Sequence, residues 1–162
     1  MIDEIMKALS VLSGSWKGRG VGNYPTIDPF EYDETLRFET DTGYPLIHYE
    51  QHTWLKPSGE SSHWESGFIR PLEDGSIDLS NSQDSGRVEV LRGGLQRSAD
   101  GADLHLVLDN VVLEHDSRLH RTRRTFTVRG EILHYVVYMA THTTPEPKLQ
   151  QHLEARLKRN KD

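Results

Sequence analysis

The sequence predicts an all-β protein: an antiparallel up-and-down barrel of about ten strands, with a short helix at each end of the chain. Three observations carry this. Apolar and polar residues alternate with a period of two through most of the 162 residues. Turn signals such as Pro57-Ser58-Gly59, Glu73-Asp74-Gly75 and Asp84-Ser85-Gly86 cut the alternation into short runs. About ten strands in one small domain must also hide their edges, and closing the sheet is the simplest way to do so. A β-sandwich is the competing architecture, and residues 1–162 are expected to form one domain, since no shift in composition divides them.

Taken in order, Ile2, Ile5, Met6, Leu9 and Leu12 recur at helical spacing and predict an amphipathic helix before Gly14. The period then switches to two. In SWKGRGVG (15–22), Trp16 closes a barrel end, while Gly18, Gly20 and Gly22 clear one strand face for a close approach of backbone, helix or flat ligand. In FEYDETLRFE, Phe30, Tyr32, Leu36 and Phe38 alternate with charged residues, and Glu34 falls on the apolar face, where it needs a partner, with arginine expected. Further strands are expected at 44–55, 62–70, 76–81, 87–92, 102–109, 110–116, 120–129 and 131–142. The closing PEPKLQQHLEARLKRNKD predicts a second amphipathic helix with a Leu149, Leu153, Leu157 ridge, His152 lying about 60° from Leu149 on the wheel. A barrel of this strand number is wide enough to enclose one small ligand, with the first helix plugging one end and the last lining the other.

Composition excludes several functions. A formal charge of −6 argues against nucleic acid as a partner, because phosphate binding normally needs a strongly basic face. No apolar run approaches a membrane span, and MIDEIMKALSVLSGSW has acidic residues where a secretory signal has basic ones, so a cytoplasmic protein without a membrane partner is expected. The chain has no cysteine, which removes disulfides, thiolate nucleophiles, zinc–thiolate sites and covalent haem attachment. Any haem or metal must be held by histidine, carboxylate, tyrosine, methionine or backbone.

Several motifs in order carry more than a pattern: GSWKGRG, then GNYPTIDPFEYDE, then HWESGFIR, then a strand ending in MAT, then QQHL. Together they resemble the nitrobindin family of haem-binding β-barrels, from about Leu9 to Arg159. The resemblance implies a ferric haem b, one per chain and non-covalent, that binds nitric oxide and isomerises peroxynitrite to nitrate. It implies that His152 is the axial iron ligand and the catalytic residue, that Tyr24, Thr26 and Ile27 of NYPTI border the porphyrin, and that His63 lies near the haem. The partners are then small molecules, with a homodimer possible. The segment HTTPEPKLQQ is a residue or two longer than the family spacing, which makes His142 a second candidate ligand.

Plainer readings stand beside these. His152 at the edge of a leucine stripe also fits a half-solvated boundary residue, and His63 a solvent-facing strand residue. A lipocalin-like or fatty-acid-binding carrier without catalysis fits the same strands, and an arginine aimed into the cavity would favour it. His48, Glu50 and His52 share a strand face but spread over about 13 Å, too far for one ion. Arg118, Arg121, Arg123, Arg124 and Arg129 read as a solvated strand face, or as a source of anion steering and propionate pairing.

Overall fold

The computed structural model describes residues 1–143 and 145–161. A helix α1 (Ile2–Leu9) and a single 3₁₀ turn (Ser10–Leu12) lead into ten strands. These are β1 (Gly14–Tyr24), β2 (Ile27–Glu39), β3 (Ile47–Leu55), β4 (Ser61–Pro71), β5 (Ile77–Gln83), β6 (Val88–Leu95), β7 (Leu104–Glu114), β8 (Leu119–Arg129), β9 (Ile132–Thr141) and β10 (Gln150–Asn160). Each strand pairs antiparallel with its neighbours in sequence, and β1 pairs with β10 from Ser15↔Asn160 to Gly22↔Leu153, so the sheet closes into a barrel. No helix among the described residues is long and apolar enough to cross a membrane.

The end of the chain corrects the expectation of a second helix. Residues 150–160 form β10, the strand that closes the barrel. Leu, Glu, Ala, Arg and Lys favour helices, but the segment also alternates, with Leu153, Ala155 and Leu157 facing inward between charged neighbours. Without this strand β1 and β9 would each expose a row of unpaired backbone groups, and this tertiary demand overrides helix propensity. A compensating difference lies at residues 102–116, where two expected strands are one, β7. The strand total therefore agrees with the sequence reading although two of its members do not.

One barrel end is filled. Leu9 and Leu12 are wholly buried against the barrel floor, and Trp16 Nε1 donates to the Leu12 carbonyl at 2.8 Å, capping the 3₁₀ turn from inside. Arg159 of β10 stacks over Trp16 at 4.2 Å and donates to the carbonyls of Val11 and Ser13, tying the plug to the closing strand. Above the plug, Phe38, Ile47, Ile69, Leu79, Leu91, Leu106 and Phe126 fill the barrel. The inward glycines of β1 admit neighbouring rings: a methyl group at Gly20 would overlap Tyr32, and one at Gly22 would overlap Phe30.

Candidate functional site

The opposite end, where β1 stops at Tyr24, β9 at Thr141 and β10 begins at Gln150, is built differently. The β9–β10 register shifts between Gln151 and Leu153, so His152 is the extra residue of a bulge without a partner in the ladder. Strict alternation would turn His152 outward, since Leu153 faces the interior. The bulge instead brings both side chains to the wall of one cavity of about 220 Å³. Larger concavities of about 330 and 450 Å³ lie elsewhere, on the outer wall beside β1 and β10 and among the loops near Ala8 and Ala102.

His152 is held on two sides. Its Nδ1 lies 3.2 Å from the carbonyl oxygen of Asn23, which can only accept, so Nδ1 carries the hydrogen and Nε2 keeps its lone pair. Tyr24 and Phe30 pack edge-on against the ring, with centroids at 5.9 and 6.5 Å. Burial lowers the pKa of the ring, partly offset by the Asn23 bond, so the neutral form is favoured. A neutral imidazole whose second nitrogen is fixed by a backbone carbonyl is a metal-ligating arrangement. Among the described residues no three His, Asp or Glu side chains cluster to hold a bare ion.

The apolar part of the cavity wall is Val137, Met139 and Leu153, and its floor is ionic. Arg124, almost fully buried, donates to both oxygens of Glu65 at 2.8 and 3.1 Å and to Glu89 at 2.8 Å. Tyr49 donates to Glu65 at 2.5 Å, and Thr122 and Gln83 donate to Glu89 at 2.6 and 2.7 Å. Burial pushes the Glu65 carboxyl up, but the charge and hydrogen bonds of Arg124, with His63, more than reverse this and hold it well below the usual range. Two buried atoms of this floor, Arg124 Nε and Gln83 Oε1, have no hydrogen-bond partner among the described residues.

Of the other residues singled out from sequence, His63 lines the cavity and sits 2.8 Å from Glu65 and 3.6 Å from Asp84. Tyr24 is buried behind His152, its hydroxyl 3.2 Å from Thr141 Oγ1. Thr26 and Ile27 are exposed in and beside the β1–β2 turn and do not line the cavity. His142 is exposed, edge-on to His120 at 5.0 Å, and outside the cavity lining. Glu34 is buried as expected, but its partners are Gln51 at 2.9 Å and the Tyr135 hydroxyl rather than arginine. The basic run divides: Arg118 pairs with Asp116, Arg121 and Arg123 with Asp109, and Arg129 with Asp100, whereas Arg124 is internal. The signal for Arg124 was its alternation with Thr122, Phe126 and Val128, and the signal for Glu65 and Glu89 was their step of two from His63 and Leu91.

A closed antiparallel barrel with a plugged base, an open cavity and one pre-oriented neutral imidazole defines a small-molecule-binding barrel able to ligate a prosthetic metal centre. Residues 5–159 match the family described as the THAP4-like, heme-binding beta-barrel domain, and the chain belongs to that family, the nitrobindins that its motifs resemble. It is 42% identical over 91% of its length to a protein of Arabidopsis thaliana named peroxynitrite isomerase Rv2717c, of which 84% is covered. It is 36% identical over 96% of its length to peroxynitrite isomerase 1 of Rhodococcus jostii, covering 85% of it. The crystal structure of Rv2717c from M. tuberculosis superposes with a TM-score of 0.83 at 32% identity, covering 97% of this chain and 98% of that one.

Proposed function

We propose that the chain holds one ferric haem b, non-covalently, at the barrel mouth with His152 as axial ligand, that it binds nitric oxide there, and that it isomerises peroxynitrite to nitrate. The observation that carries this is the bulged His152, with Nδ1 committed to the Asn23 carbonyl and Nε2 left as a ligand atom on the cavity wall. When bound, the haem supplies a Lewis-acidic, redox-active iron.

The chain's own residues orient and enclose. Asn23, Tyr24 and Phe30 fix the imidazole plane before any ligand arrives, so little is spent on ordering it. Val137, Met139 and Leu153 keep water from one side of the cavity. His63, tethered by Glu65 and Asp84, presents a ring on the same cavity, and Arg87 adds positive charge at its rim while bound to Asp116 at 2.8 Å. The names of the relatives support the reaction class.

A carrier of aliphatic ligands is not favoured. Both arginines that line the cavity are already paired with carboxylates, and the barrel below is filled by side chains, leaving no channel for an apolar tail. The deciding experiment is a hemin titration followed by absorption. The wild type is expected to show a shifted Soret band saturating at one equivalent, and His152→Ala to lose it. Equal spectra would move the ligand to His142 or to adventitious binding. Stopped-flow decay of peroxynitrite with unchanged nitrate yield would remove the catalytic claim and leave a haem sensor or store.

A further inference from the structure

Adjoining the ionic floor is a second polar cluster, which shares with the cavity wall the side chain of Gln51. Tyr135 of β9 donates its hydroxyl hydrogen to Glu34 Oε1. Because that hydrogen is committed, Tyr32 is the donor in its 2.8 Å contact with the Tyr135 oxygen, and Gln51 Nε2 donates to the same oxygen at 3.2 Å. The Tyr135 hydroxyl is thus a phenol with a base on its proton and two donors on its oxygen, buried in the barrel. A row of rings leads to it from the mouth: His152 to Phe30 at 6.5 Å, Phe30 to Tyr32 at 6.0 Å, then the hydroxyl contact.

We propose that the Tyr135–Glu34 pair is a proton-coupled one-electron redox site that draws oxidising equivalents away from the mouth cavity. It rests on the haem reading above for its oxidant, a haem centre oxidised by peroxide. Tyr135 gives up one electron, by which that centre is reduced. The Tyr135 O–H bond breaks and its proton forms an O–H bond on Glu34. The products are a neutral phenoxyl radical, stabilised by the donors Tyr32 and Gln51, and a carboxylic acid.

The other tyrosines near the cavity are less suited. The Tyr24 hydroxyl meets Thr141, a neutral group that is a poor proton acceptor. Tyr49 donates to a carboxylate, but Glu65 is neutralised by Arg124 and is a weak base. Glu34 lacks such an ion pair, and burial raises its pKa to about 7, which makes it the stronger base of the two. The groups facing Glu34 are Tyr32 from its own strand, Gln51 of β3, Glu65 of β4, Arg124 of β8 and Tyr135 of β9.

The test uses hemin-loaded protein mixed with one equivalent of hydrogen peroxide, freeze-quenched and read by electron paramagnetic resonance. The wild type is expected to give a neutral tyrosyl signal whose yield rises with pH through about 7, as Glu34 ionises. Tyr135→Phe and Glu34→Gln should lose it, and Tyr49→Phe should keep it. A signal that survives Tyr135→Phe, vanishes in Tyr49→Phe, or never forms in protein with a saturated Soret band overturns the proposal. A Soret titration of each variant separates loss of haem from loss of the radical. Should hemin not bind at all, flash photolysis of apoprotein with ruthenium tris-bipyridine and persulfate asks the same question, and absence of a Tyr135-dependent radical there also overturns it.

Discussion

Glu34 and Glu65 are both buried carboxylates inside the barrel, yet they answer pH in opposite directions. Glu34 has only neutral hydrogen-bond donors, and burial raises its pKa to about 7. A raised folded-state pKa means stability that is present in full below the ordinary value of 4.5 and lost as pH climbs through about 7, a difference of about 3 kcal/mol. Glu34→Gln should therefore be more stable than the wild type at pH 8 and lose that advantage at pH 5, as measured by urea denaturation. Glu65 has the opposite sign: its pKa is depressed, so its contribution is present above the ordinary carboxylate range and falls away on acidification. Arg124→Met would leave Glu65 and Glu89 facing each other without a cation, an expected loss of about 3–5 kcal/mol at pH 7. Little of this was readable beforehand. Alternation placed Glu34 on an inward face, but Arg124 read as one of a solvated basic run, and its burial beside Glu65 and Glu89 depended on strand register.

At the scale of elements, β1 and β10 decide the site together. The glycines of β1 leave room for Tyr32 and Phe30, and Phe30 in turn braces His152. Gly20→Val is expected to cost about 1–3 kcal/mol by overpacking and to displace the Tyr32 hydroxyl from Tyr135, which thermal melts and hydrogen exchange would read. The bulge in β10 is the more specific device. Deleting Gln151 should restore regular pairing and turn the imidazole outward, with loss of hemin coordination while the strand content measured by circular dichroism persists. The strands were legible because half-buried sheet writes itself as alternation. The terminal segment forms a strand rather than the expected helix because a Leu-Glu-Ala-Arg-Lys sequence satisfies both periods, and only the otherwise unpaired edges of β1 and β9 distinguish them.

For the whole molecule, the two barrel ends divide the labour. The base is closed by Leu9, Leu12 and Trp16 and carries stability; the mouth keeps a cavity over an ionic floor. Ligation at the mouth couples to global folding by mass action. Free hemin at about 100 times its dissociation constant should stabilise the wild type by about 2.7 kcal/mol, raising Tm by roughly 5–10 °C, and should leave His152→Ala unmoved, as checked by scanning calorimetry.

What the sequence by itself determined was the class of fold, the family and the identity of the candidate ligand, because alternation, turn chemistry and ordered motifs are local properties of the chain. What only the tertiary structure decided was that His152 sits on a strand, that a bulge turns it into the cavity, and that Arg124 rather than a surface cation lies on the floor. These depend on barrel closure and register, which bring residues more than a hundred positions apart into hydrogen-bonding contact, and no local pattern encodes that distance.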